Sequence, residues 1–296
     1  MRANPGDFEL IAPDTLGAVL SLLADAPGQW LPIAGGTDVM VQYAAGNLTA
    51  KKLVSVVNLP ELQGVEISEN EIRIGAGCTY TGLRAHDVVA REFPLLAKAA
   101  AWTGGIANQN RGTIGGNIVN ASPAADSLPA LLAYEAELIL VSIRGERRVS
   151  YLSFHTGYKK MKLESDELVR SVCLSRKFED YFHYSRKVGA RNAQAISKVS
   201  IAALGRLRGE IVEDVRIALG SVAAVPLRLI DVERKIAGKI VGPMLVEWAR
   251  KTAAAAVQPI DDIRSTARYR AAVAGNLVAE FLQQLGATSQ GHVDRD

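Results

Sequence analysis

Cysteine is almost absent from this 296-residue chain: Cys78 and Cys173 stand far apart, with no CxxC pair and no cluster. That excludes an evident structural zinc site and an iron–sulfur cluster held by this chain alone. Cysteine this sparse also fits a reducing compartment. No stretch approaches the roughly 18–20 uninterrupted apolar residues of a membrane helix. Blocks of one charge are missing too. The net charge is +3 with the basic residues dispersed, which argues against nucleic acid or an anionic membrane as the main partner. The opening residues put Pro5, Asp7 and Glu9 where the apolar core of a signal peptide would have to lie. The expectation is a soluble, cytoplasmic protein.

Catalytic constellations are equally scarce. His86, His155, His183 and His292 share no motif, and no Ser/His/Asp or Cys/His arrangement is visible, so no catalytic residue and no metal ligand is assigned. There is no GxGxxG with its acidic partner roughly 20 positions on, and no Gly-Lys-Ser/Thr P-loop. Repeats, low-complexity tracts and a molybdopterin signature are absent.

What is present is a chain 48% hydrophobic, enough for one large domain or two ordinary ones. Leu16, Val19, Leu20, Leu22 and Leu23 recur at helical spacing over 15–26, with Asp14 as the expected N-cap. Strands are expected over 30–34, 52–58 and 71–77. Helices follow, one capped by Thr81 and running to Val89, one over 95–102 and one over 128–134. Residues 103–126, rich in Gly, Asn, Thr and Ser, read as a long loop system that is costly unless functional. A hairpin over 136–150 precedes a boundary near residue 178. Beyond it, strands at 182–188, 199–204 and 215–220 lead into amphipathic helices at 244–256 and 269–285. The fold class is α+β.

Two glycine-rich loops carry the functional reading. Ala34-Gly35-Gly36-Thr37-Asp38 follows a short strand; adjacent glycines allow close approach of a ligand, and consecutive N–H groups form an anion-binding concavity. By itself the Gly-Gly pair reads more readily as a tight strand-to-helix turn. The second loop, 111–127, combines glycines with Thr113, Asn117, Asn120 and Asp126. A bare turn does not need so many hydrogen-bonding groups, although a compact Ω-loop held by its own side chains is the alternative. Two such loops in one domain suggest one extended ligand with two phosphates, such as flavin adenine dinucleotide.

At these residues the sequence resembles a known family. Ala-Gly-Gly-Thr-Asp (34–38), Arg-Gly-Thr-Ile-Gly-Gly-Asn-Ile (111–118) and Ala-Ser-Pro-Ala-Ala-Asp-Ser-Leu-Pro (121–129) look like the FAD-binding medium subunit of molybdenum hydroxylases. The likeness continues through Arg186-Lys187-Val188-Gly189 and Ala195-Ile196-Ser197-Lys198-Val199 to Arg268-Tyr269-Arg270-Ala271 and covers nearly the whole chain.

The resemblance implies an FAD-binding domain over 1–177 of the vanillyl-alcohol-oxidase (PCMH-like) type, with subdomains of about 1–57 and 58–177. A C-terminal domain over 178–288, with a three-stranded antiparallel sheet and a helical bundle, would follow, then a disordered tail over 289–296. By family position, Ile33, Ala34, Gly35, Gly36, Thr37, Asp38 and Val39 would line the diphosphate with backbone amides. Thr113, Gly116 and Asn117 would continue that contact, Asn120 and Asp126 would reach polar parts of the cofactor, and Trp102, Thr103 and Gly104 would lie along the nucleotide. Lys198 matches a lysine near the flavin ring, although on residues alone it reads as a solvated strand-end lysine. Tyr181, or less readily Tyr184, would cover one ring face, a core aromatic being the alternative for Tyr184.

The implied partners are a large molybdopterin subunit and a small [2Fe-2S] subunit in a dimer of heterotrimers. Electrons would pass from molybdenum through [2Fe-2S] clusters to FAD and on to NAD+ or another acceptor. A free-standing FAD-dependent oxidoreductase of the same cofactor fold, and a binding module for another nucleotide, are the alternatives.

Overall fold

The computed structural model describes residues 4–191 and 194–290. The first layer holds β1 (Glu9–Ile11), α1 (Leu16–Asp25), β2 (Trp30–Ile33), α2 (Val39–Ala44) and β3 (Lys52–Ser55). The strands form a parallel sheet in the order β1-β3-β2. Leu16, Val19, Leu20 and Leu23 make the buried stripe of α1. Its cap is Thr15, whose hydroxyl accepts the Ala18 N–H at 3.2 Å, rather than Asp14.

The second layer is a five-stranded antiparallel sheet, β4 (Val65–Ile67), β5 (Glu71–Gly75), β6 (Glu137–Ser142), β7 (Gly145–Ser150) and β10 (Leu168–Ser175), in the order β4-β5-β10-β6-β7. Between β5 and β6 the chain forms α3 (Tyr80–Ala85), α4 (Asp87–Glu92), α5 (Pro94–Trp102), α6 (Ile106–Arg111), α7 (Ile114–Asn120) and α8 (Ser127–Ala133). Thr79, not Thr81, caps α3, and the chain breaks at His86 before α4. The expected loop over 103–126 is largely helical instead. Ile114 and Ile118, one turn apart and fully buried, anchor α7 to the core despite its two glycines; tertiary burial overrides weak propensity. After β7 come the small hairpin β8 (His155–Gly157) and β9 (Lys160–Met161), then β10 (Leu168–Ser175), the central strand of the sheet.

The third layer is β11 (Phe182–Val188), β12 (Val199–Arg208), β13 (Ile211–Gly220) and β14 (Leu227–Arg228), followed by α9 (Ile230–Ile236), α10 (Pro243–Ala256) and α11 (Ala267–Gln290). Three long antiparallel strands were expected. The sheet has four, in the order β11-β12-β13-β14, the last contributing only two residues against Ala218 and Leu219. Alternate residues of β12 serve two cores: Ala202 and Leu204 pack with the helices of the second layer, Ile201 and Ala203 with α9 to α11. Burial on both faces explains the apolar run 201–204. Residues 289–290 close α11, and the rest of the expected tail, with His292, lies outside the described residues.

Candidate functional site

The loop 34–38 leaves the end of β2 and meets the α6–α7 junction across a cleft of about 1450 Å³. Contact between the two loops is by backbone: a Cβ on Gly35 would overlap the Arg111 carbonyl, and one on Gly112 would lie 3.5 Å from Thr37 Oγ1. Gly36 adopts φ +73°. Among the described residues no acceptor is paired with the backbone N–H of Gly35, Gly36, Thr37, Asp38 or Val39. All five residues line the cleft. A run of free N–H groups on a concave wall is an arrangement that suits an anion, and the glycines keep side chains out of the way.

The second loop works differently. The N–H groups of Ile114, Gly115, Gly116 and Asn117 donate to Cys78 O (3.0 Å), Ala76 O (2.8 Å), Thr113 Oγ1 (3.0 Å) and Thr113 O (3.0 Å). Thr113 caps α7, so the first turn has no amide left over. This narrows the expected amide contacts: what 113–117 offers a ligand is the Thr113 N–H and hydroxyl proton and the Asn117 amide nitrogen, the Asn117 oxygen being taken by Ser127 Oγ at 2.7 Å.

Asn120 lines the cleft, but its carbonyl accepts from Lys159 Nζ at 2.6 Å. Asp126 also lines it, held on both oxygens: Ser197 Oγ donates to Oδ1 at 2.6 Å and Lys187 Nζ to Oδ2 at 2.6 Å. Lys187 donates in addition to the Trp102 carbonyl at 3.0 Å. The side chains of Lys187 and Asp126 are 12% and 8% exposed. Burial pushes the Asp126 carboxyl above its usual value, against the pull of Lys187. A free carboxylate waiting for a sugar hydroxyl is therefore not what the structure shows; Asp126 is one half of a buried ion pair.

Thr103 and Gly104 line the cleft, whereas Trp102 and Ile33 do not. Three more expected residues do not line the cleft. Tyr181 is packed between layers, with its hydroxyl donating to Asp214 Oδ2 at 2.8 Å, its ring edge-on to Phe178 and Arg206 over its face; Tyr184 lies against Phe281. Neither borders the cleft, whose aromatic side chains are Trp30, Tyr80 and Tyr158. Lys198 sits 5.5 Å from the Tyr269 ring centroid and does not line the cleft either. Lys187, its side chain 12% exposed, is the lysine tied to Asp126. The available sign was strand alternation, which puts Lys187 on the face of β11 that carries His183 and Ser185 rather than Phe182, Tyr184 and Val188.

A cleft between layered α/β lobes, walled by a diphosphate-sized run of free amides, defines a dinucleotide-binding protein of the kind that needs no Rossmann fingerprint. Comparison with known proteins gives the family. Residues 6–175 match the FAD binding domain in molybdopterin dehydrogenase, and residues 184–285 match the CO dehydrogenase flavoprotein C-terminal domain. The xanthine dehydrogenase FAD-binding subunit of Escherichia coli O157:H7 is 31% identical over 94% of this chain and 95% of its own length. The glyceraldehyde dehydrogenase medium chain of Sulfolobus acidocaldarius is 29% identical over 95% and 99%. A solved carbon monoxide dehydrogenase chain from Hydrogenophaga pseudoflava superposes with a TM-score of 0.90 at 28% identity, covering 94% and 96%. The chain belongs to the FAD-binding medium subunits of the molybdenum hydroxylase family.

Proposed function

We propose that this chain accepts electrons from the molybdenum centre of a large partner subunit, through [2Fe-2S] clusters on a small partner subunit, and delivers them to NAD+ or another acceptor. The relatives support the reading: one is the FAD-binding subunit of xanthine dehydrogenase, and the solved carbon monoxide dehydrogenase is a form that lacks the Mo-pyranopterin moiety of the molybdenum cofactor. Bound FAD supplies reversible uptake and release of electrons. The rest is the work of residues here. Gly35 to Val39 bind the diphosphate through their free N–H groups, and the Thr113 hydroxyl and Asn117 amide donate from the facing wall. Thr103 and Gly104 border the nucleotide, and Asn120 supports the rim through Lys159. Asp126, held by Lys187 and Ser197, supplies a fixed charge on the cleft wall. The working division is 1–177 for the cofactor domain and 178–288 for the domain that closes over it, in a cytoplasmic dimer of heterotrimers.

The run of unpaired amides facing Arg111–Thr113 carries this reading. Its test is purification from the native host with absorbance spectroscopy and metal analysis. A red-brown complex with two further subunits, containing molybdenum, iron and FAD, is expected. A yellow protein that turns over substrate alone would replace the proposal with a free-standing flavoenzyme, and a colourless one that takes up no FAD would end both.

A further inference from the structure

The hydrogen bonds that fix Asp126 and Lys187 do not stop at Ser197. Ser197 is fully buried, and while its hydroxyl donates to Asp126 its carbonyl accepts from Ser221 Oγ at 3.0 Å. Ser221 holds a φ of +64°, a left-handed conformation that a serine keeps only when its surroundings over-determine it. Those surroundings are visible. The Ser221 N–H donates to Pro123 O at 2.8 Å, and its carbonyl accepts from Arg270 Nη1 at 3.1 Å. Arg270, 4% exposed in the first turns of α11, donates through Nη2 to Asp262 Oδ1 at 2.6 Å. That oxygen also receives the N–H groups of Arg264 and Ser265. One path thus runs from Asp262 through Arg270 and Ser221, all three of which line the cleft, and through Ser197 to Asp126 and its partner Lys187.

We propose that Arg270 is a positioning residue for the Asp126–Lys187 pair, acting through Ser221 and Ser197 with no hydrogen bond to either member of the pair. The proposal rests on the assignment of the cleft to FAD. A carboxylate buried beside an ammonium is useful in one orientation only. If the Asp126 carboxylate turns, Lys187 loses its partner in a poorly solvated place, and the field on the flavin changes. Arg270 clamps the Ser221 carbonyl, which orients the Ser221 hydroxyl at Ser197, which orients the Ser197 hydroxyl at Asp126.

The test uses the full chain with FAD, measuring the FAD dissociation constant, the flavin midpoint potential and the melting temperature. Arg270→Gln and Ser197→Ala should each weaken FAD binding by about tenfold and lower the potential, and the double variant should be no worse than either alone, since both cut one path. Arg270→Lys should recover most of the loss. Ser221→Gly covers the case in which Arg270→Gln fails to fold. It removes the hydroxyl but relieves the left-handed backbone, so it should melt no lower than wild type while showing the same loss of affinity and potential. Additive effects in the double variant, or Ser221→Gly with wild-type affinity and potential, would overturn the role of Arg270 and leave the FAD assignment standing. A wild-type chain that takes up no FAD would remove both.

Discussion

Glycine at position 35 is required by distance rather than by torsion. Its φ is ordinary, but the space a side chain would fill is occupied by the Arg111 carbonyl. The composition of 34–38 makes a close approach legible in advance; which backbone is approached is a property of the fold. Gly35→Ala should therefore separate the two loops, costing about 1–3 kcal/mol of stability by overpacking and lowering FAD affinity by at least roughly tenfold, since a displacement of the cradle loses several charge-assisted bonds together. Thermal melting and equilibrium dialysis with FAD check both; a variant that melts and binds as wild type does would show that the loops do not depend on this contact. The same scale separates two lysines. Lys187 and Lys198 flank one loop, both in segments that carry the family likeness, and only the partners Asp126 and Trp102, some sixty and eighty-five positions away, distinguish the buried lysine from the one over Tyr269.

Elements with a single apolar face were legible, and those buried on both faces or built from poor formers were not. The stripe of α1, the hairpin β6–β7, and helices α10 and α11 all follow from periodicity, within a few residues at their ends. Strand β10 is central, and its burial covers nearly every position, so alternation cannot reveal it. Helix α7 fails every propensity rule and is held by Ile114, Ile118 and the Thr113 cap. That dependence is testable. Thr113→Ala removes the acceptor of the Gly116 N–H and should cost about 1 kcal/mol, a fall in melting temperature of roughly 2–4 °C for a protein of this size. Thr113→Ser should restore the loss and Thr113→Val should not. Equal melting of the Val and Ser variants would mean that the hydroxyl does not cap the helix.

At the scale of the whole molecule, the two halves are joined by more than the apolar contact of α8 with β12 and β13. Glu135, at the end of α8 with φ +52°, lies where the layers meet. It receives Lys177 Nζ at 2.8 Å from the connection between the sheets, Arg216 Nε at 2.7 Å from β13, and Arg228 Nη2 at 3.5 Å from β14. Burial alone would raise its pKa, but the hydrogen bond from Lys177 and the charge and hydrogen bond of Arg216 outweigh it and bring the value from 4.5 down to about 2. Because the folded value lies below the unfolded one, the ionised carboxylate favours the folded state. That contribution is full above pH 4.5 and is lost as the pH falls toward about 2. A shift of this size would correspond to about 3 kcal/mol if nothing screened it. With the side chain 36% exposed, water and salt reduce the expected value to about 1 kcal/mol. Glu135→Gln should therefore be less stable than wild type by about 1 kcal/mol at neutral pH, with the gap closing on acidification and shrinking in high salt. Denaturant titrations of both proteins at neutral and acidic pH, each at low and high ionic strength, give the four numbers required. A gap that persists at low pH would assign the loss to packing at the left-handed turn rather than to charge.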